Sequence, residues 1–232
     1  MVTKLPNTKT TTQDGGEDVF IRDTKKLSWQ NEPVVYEFTN DPALLHQYYR
    51  LREEMYRKTF QTEQFSGTED VYDKISHILI ARKGRLCIGG CRLTIREAHE
   101  EFLLPMESDS FRLRQELPDY SLNQCRHGEV SRFAVMAGES EKEVIFTLAK
   151  LIAEKAVQLD LDHAFTRSTH TMARIWRMSG KAPGVKAKIL NNVDIPVNPL
   201  HPDIKWYMTV FSQVAADVPE KTVKTESKTL VH

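Results

Sequence analysis

Glu139 to Asp160 carries Val144, Ile145, Leu148, Leu151, Ile152, Ala156 and Leu159 on one stripe, the repeat of a helix that buries a single face. Strand-like runs flank it, His127–Val135 (HGEVSRFAV) before and His163–Ser168 after. A helix of that length between two strands crosses a sheet and lays its stripe on it, which restricts the chain to the α/β class. The remaining pattern supplies the sheet. Val34–Thr39 reads as a strand, and Asn40 or Asp41 caps a helix that opens at Pro42 and places Leu44, Leu45, Tyr48, Leu51, Arg52 and Met55 at helical spacing to about Phe60. Ile75–Arg82, a Lys83-Gly84 turn and Leu86–Ile95 form an antiparallel hairpin. A short helix is expected around Phe111–Leu117 and another over Met172–Met178 closed by Gly180, with strands over Val185–Leu190 and Ile204–Phe211.

The organisation is one domain over 31–213 between two tails. Residues 1–30 and 214–232 are rich in Thr, Lys, Asp and Glu without periodicity and read as flexible. The formal net charge is zero, so nothing global favours nucleic acid or a membrane surface. Cys87, Cys91 and Cys125 cannot all pair and lack metal spacing, the usage of a cytoplasmic protein that binds no metal. No run approaches the length of a membrane span, and His77, His99, His127, His163 and His170 show no triad or metal spacing.

HGEVSRFAV is an awkward strand. Strict alternation puts Glu129, Ser131 and Phe133 on one face and Val130, Arg132 and Ala134 on the other, a charge on each side of a core strand. Other charges line up with it along the chain: Arg52 and Tyr56 four apart on the first helix, Asp70 and Asp73 in EDVYD, and Arg92 in GGCRLT. In order and local spacing, this set with Glu129 and Arg132 resembles the signature of the acyl-homoserine lactone (autoinducer) synthases and the related N-acyl amino acid synthases. The resemblance implies a GNAT-like three-layer fold whose mostly antiparallel central sheet splays between its fourth and fifth strands. It also implies an acyl-carrier-protein-dependent N-acyltransferase. The chain has QTEQFS where the autoinducer enzymes carry a Trp, and Thr94-Ile95-Arg96 where they carry Pro-Thr. It therefore reads as an N-acyl amino acid synthase that acylates a free amino acid. Lactone synthesis from S-adenosylmethionine is one alternative, and a non-catalytic GNAT-like binding module is another.

Acylating an amine requires an acceptor for the ammonium proton, a grip on the acceptor molecule and stabilisation of the oxyanion formed at the thioester carbon. Glu129 is the candidate proton acceptor, direct or through water, its pKa raised if it is buried beside Phe133. The competing reading is an ion-pair partner of Arg92 or Arg132. Arg52, Arg92 and Arg132 with Asp70 and Asp73 form a cluster in which one arginine grips an acceptor carboxylate, or a salt-bridge network that fixes the loop. Met136, Phe146, Leu148, Met172, Ile175, Trp176 and Met178 are candidates for an acyl slot, though such spacing also describes ordinary core.

Between His163 and Val193 there is no acidic residue, while Arg167, Arg174, Arg177, Lys181, Lys186 and Lys188 all fall there. Such a patch suits docking of an acidic acyl carrier protein; a solvated basic face competes, and no nucleic-acid motif is present. VMAGESEKEV, at the start of the central helix, has one glycine and three glutamates, a poor cradle for the pyrophosphate of coenzyme A. The donor expected is therefore a phosphopantetheine thioester on the carrier protein, with no bound cofactor.

Overall fold

The computed structural model describes residues 32–138, 141–179, 184–197 and 202–213. The expected tails, Lys181 and the closing Gly180 lie outside them. The strands are β1 (Val34–Phe38), β2 (Ser76–Lys83), β3 (Leu86–Arg96), β4 (His127–Val135), β5 (His163–Ser168), β6 (Val185–Leu190) and β7 (Tyr207–Gln213). The helices are α1 (Pro42–Phe60), α2 (Leu113–Glu116), α3 (Glu141–Gln158) and α4 (His170–Ser179). They form a seven-stranded sheet in the order β1-β2-β3-β4-β5-β7-β6, antiparallel throughout except for β4 with β5. That exception follows from the crossover: a chain that leaves β4 and returns through α3 re-enters the sheet in the same direction.

Asp41 caps α1, its Oδ1 accepting from the Ala43 N–H at 2.8 Å, and Pro42 opens the helix where no backbone donor is needed. The buried side of α1 sets Leu44, Tyr48 and Leu51 on Ile78, Ile80 and Cys87. On the opposite face of the sheet, Val144, Leu148, Ala149, Ile152, Ala153 and Ala156 of α3 cover Leu79, Ala81, Cys91, Leu93 and Val130. Each of these large aliphatic side chains removed from water contributes about 1.5–3 kcal/mol, so the stripe read from the sequence is also the main source of cohesion. Segment 97–126 folds over β5 and β7, where Leu104, Phe111, Leu113 and Leu122 meet Phe165, Met208 and Val210.

Several boundaries move. The short helix is confined to Leu113–Glu116, α4 begins at His170, and β7 begins at Tyr207, after Ile204, and runs to Gln213. The consequential departure is in β4. Arg92 pairs with Ser131 and Gly90 with Ala134, so β4 spends three steps where β3 spends two. This is a bulge, and Arg132 sits in it at φ 55°. The extra residue resets the alternation. Phe133 joins the α3-side cluster and meets Trp176 at 5.1 Å between ring centroids, on the same side as Val130 and away from Glu129 and Ser131.

β4 and β5 pair only over His127–Glu129 and His163–Phe165. Beyond these three pairs the strands part, and the sheet opens.

Candidate active site

Arg52, Asp70, Asp73, Arg92 and Arg132 converge beside β4, and of these Arg132 reaches the wall of the opening. Arg52 is buried in α1 and fully engaged: Nε donates to the Gly67 carbonyl at 2.7 Å, Nη1 to Asp73 Oδ1 at 2.9 Å, and Nη2 to Asp73 Oδ2 at 2.7 Å. Arg92 from β3 reaches the same carboxylate, Nη1 lying 2.9 Å from Asp73 Oδ1 and 2.5 Å from Asp70 Oδ1, while its Nε donates to Ser131 Oγ at 3.0 Å. Arg132 Nη2 lies 3.2 Å from Asp70 Oδ2. Three guanidiniums thus share two carboxylates and leave the cluster one positive charge in excess. Burial alone would raise the Asp73 carboxyl, but the hydrogen bonds from Arg52 and the Asp70 N–H, with the charges of Arg52 and Arg92, hold it below the usual range.

The bulge puts Arg132 within reach of Asp70. Tyr48, wholly buried on α1, donates from Oη to the Arg132 carbonyl at 2.5 Å and fixes the left-handed turn. The Tyr48 ring can approach because residue 90 is glycine: a β-carbon there would stand 2.8 Å from both the ring and the Leu79 carbonyl. Tyr56, one turn after Arg52, stacks on Phe65 at 4.6 Å, and the Arg132 guanidinium lies over the Phe65 ring at 5.0 Å. An aromatic of QTEQFS therefore occupies this loop. The sequence pattern gives Tyr48 and Ser131 only a helix and a strand position and Phe65 no site role; the tight Gly89-Gly90 pair opposite the strand charges is the available signal.

Glu129 is 4% exposed and receives the Met106 N–H on Oε2 at 2.6 Å. Burial pushes its carboxyl up to about 7, against the lowering effects of that N–H and of Arg92 and Arg167. Burial is the expected cause, but the neighbour is not Phe133, which faces the other side of the sheet. Arg92 and Arg132 turn to Asp70, so the alternative of a direct ion pair with Glu129 is not what the cluster forms.

A cavity of about 510 Å³ fills the splay. Val130–Val135 of β4 form one wall and Thr166–Ser168 of β5 with Thr169 the other, with Met55, Tyr56 and Phe60 of α1, Ile145 of α3, Met172 and Trp176 of α4, and Trp206 completing it. Its lining combines polar groups, among them Tyr56, Arg132, Glu141 and Arg167, with the apolar Phe133, Ile145, Met172 and Trp176. Glu129 stands behind this lining and does not form part of it. Of the expected slot residues, Met172 and Trp176 line the cavity. Met136 lines a separate hollow behind α1 with Leu51 and Cys87, because it follows the point where β4 leaves the sheet. Leu148 is wholly buried core, and Phe146 and Met178 are exposed at 37% and 56%.

The expected basic patch divides in two. Arg174, Arg177 and Lys188 border one shallow surface hollow with His170 and Tyr207, and Lys186 is exposed two residues along β6 from Lys188. Arg167 leaves this group: it lines the cavity, its guanidinium 5.4 Å from the Trp206 ring.

No family model and no curated protein matches the chain by sequence. Solved structures do match. The AHL (acyl-homoserine lactone) synthase LasI aligns with TM-score 0.53 and 14% identity over 78% of this chain and 90% of its own. FeeM, an N-acyl amino acid synthase from uncultured soil microbes, aligns with TM-score 0.53 and 14% identity over 79% of this chain and 92% of its own. This chain therefore has the mixed α/β, GNAT-like fold of these two synthases.

Proposed function

We propose that this protein is an N-acyltransferase that moves a long-chain fatty acyl group from an acyl carrier protein thioester to the α-amine of an amino acid. The observation that carries the reading is the cavity through the β4–β5 splay, whose lining combines Tyr56, Arg132 and Arg167 with the apolar Phe133, Ile145, Met172 and Trp176. A fatty acyl chain suits the apolar side chains, and a zwitterionic acceptor suits the polar ones. The likeness in fold to an N-acyl amino acid synthase and to an AHL synthase supports the same reaction class.

In this reading the acceptor ammonium first gives one proton through water to Glu129, which releases it to solvent. The freed amine nitrogen then attacks the thioester carbon, the C–S bond breaks, and the second N–H proton passes by way of Glu129 to the departing thiolate. A carboxyl with a pKa of about 7 is matched to that transfer near neutral pH. Arg132, held at the cavity wall by the bulge and Asp70, places positive charge where the tetrahedral oxyanion develops. Arg52, Arg92, Asp70 and Asp73 position that wall, and Tyr56 lies against the acceptor. The donor is a carrier-protein thioester in preference to coenzyme A, since the first turn of α3 carries Glu141 and Glu143, which repel a pyrophosphate. Arg174, Arg177, Lys186 and Lys188 form the docking face for the acidic carrier protein.

Mass spectrometry of lipid extracts from bacteria expressing the wild type or Glu129→Gln tests the reading. N-acyl amino acids that appear with the wild type and fall with the variant support it. Acyl lactones would move the protein to autoinducer synthesis, and the absence of any acylated product would favour a binding module.

A further inference from the structure

Arg52 and Arg92 are buried and taken up by Asp70 and Asp73, and Arg132 is assigned to the oxyanion, so the acceptor's own carboxylate calls for a further cation. We propose that Arg167, backed by Trp206, forms a carboxylate-recognition subsite that restricts the acceptor to free amino acids. This inference rests on the acyl-transfer reading and deepens it.

Arg167 follows Thr166 on β5 and alternates with it, so it shares a face with Phe165, which packs on the 97–126 side of the sheet away from α3. That is also the face of Glu129, whose Oε2 meets Met106 there, and the Arg167 charge is among the cations that act on the Glu129 carboxyl. Across the opening stand Tyr56 and Arg132. The Trp206 ring flanks the guanidinium, and Phe60 at the end of α1 meets that ring at 5.8 Å. Stacking of this kind holds the guanidinium plane and leaves its edge N–H groups for a planar partner.

Two features mark the position as incomplete. Among the described residues, no Asp or Glu forms an ion pair with Arg167, in contrast to Arg52, Arg92, Arg96 and Arg132. The Trp206 Nε1, a donor only, is buried and has no partner among the described residues. A guanidinium over the indole ring and an indole N–H at that ring's edge, neither with an acceptor among the described residues, suit a carboxylate, which takes two or more donors. An α-amino acid bound this way has its amine one carbon from the carboxylate, between Arg167 and β4, where Glu129 lies one layer behind.

The test measures kcat and KM for the twenty protein amino acids, each beside its carboxamide, with dodecanoyl- and hexadecanoyl-carrier protein as donors. The wild type should prefer the best acid over its amide. Arg167→Met should raise KM for the acid roughly 10- to 100-fold, the range for losing a charge-assisted hydrogen-bond pair, and collapse the acid-to-amide ratio of kcat/KM. Trp206→Phe, which keeps the stacking ring and removes only the N–H, should lower that ratio roughly 3- to 30-fold. Arg167→Lys should restore part of it. An acid-to-amide ratio unchanged in both Arg167→Met and Trp206→Phe overturns the subsite while leaving acyl transfer intact. So does a rise in KM for the carrier-protein donor alone, which would return Arg167 to the docking face. No transfer to any amine by the wild type overturns both readings.

Discussion

Arg92 Nη1 and Asp73 Oδ1 meet at 2.9 Å with almost no solvent on either side, and Arg52 closes on the other carboxylate oxygen. A buried pair of this kind is costly to break from one side only, because the partner left behind keeps its charge away from water.

Asp73→Asn should therefore destabilise the protein by about 3–5 kcal/mol in denaturant unfolding, with Arg52 and Arg92 both left short of a counter-charge. A loss below about 1 kcal/mol would show that the network is solvated and dispensable.

Glu129→Gln keeps an oxygen for the Met106 N–H and should fold as the wild type does, while acyl transfer falls roughly 10²- to 10⁴-fold. Activity within twofold of wild type would remove Glu129 from the mechanism.

The same residue makes two pH predictions. If Glu129 accepts the proton, log(kcat/KM) should rise with a slope of about one below pH 7 and level off above about 7, where the carboxyl is ionised. Its folded pKa stands above the ordinary 4.5, so the unfolded chain binds fewer protons between about 4.5 and 7. Its stabilising contribution is full below 4.5 and is lost as pH rises through 7. His127, held down to about 4 by burial, contributes the opposite slope, so the measurement is the difference in unfolding free energy between wild type and Glu129→Gln. A difference that does not change across that window would contradict a raised carboxyl.

Gly67→Ala should cost about 2 kcal/mol or more and lower activity with it. A β-carbon there would fall 2.2 Å from the Tyr49 carbonyl and 2.5 Å from Glu53 Cβ, forcing away the loop whose carbonyl holds Arg52 Nε. Wild-type melting behaviour would mean that the loop can move off α1 without penalty.

Arg174→Glu with Arg177→Glu should raise KM for an acyl carrier protein donor by roughly tenfold or more at low salt, and the gap between variant and wild type should narrow as salt rises. Equal KM values at low salt would leave the hollow beside α4 and β6 without a docking role.

How far the chain declares itself depends on the range of the interaction. The stripe on α3, the Asp41 cap and the limits of β4, β5 and β6 are local patterns and appear in the structure as read. The convergence of Arg52, Arg92 and Arg132 on Asp70 and Asp73 was also legible, through the order of charges along the chain. The bulge was not. Nothing in SRFAV states that Arg132 adopts φ 55°, because the cause lies 84 residues away in Tyr48 and opposite in Gly90. That one residue moved Phe133 to the α3 side, so the burial that raises Glu129 comes from other neighbours. Similarly, Arg167 read as one of six surface cations because its neighbour Trp206 arrives from a distant segment, and only the fold sets the two together.

The short β4–β5 contact has a mechanical side. Three residue pairs join a half-sheet of β1 to β4 to a half-sheet of β5 to β7, with α3 tethering the two. The place where the sheet opens onto the cavity is thus also its seam. With no ladder hydrogen bonds beyond those three pairs, the width of the cavity there is set by side chains of β4, β5 and the helices and not by backbone pairing.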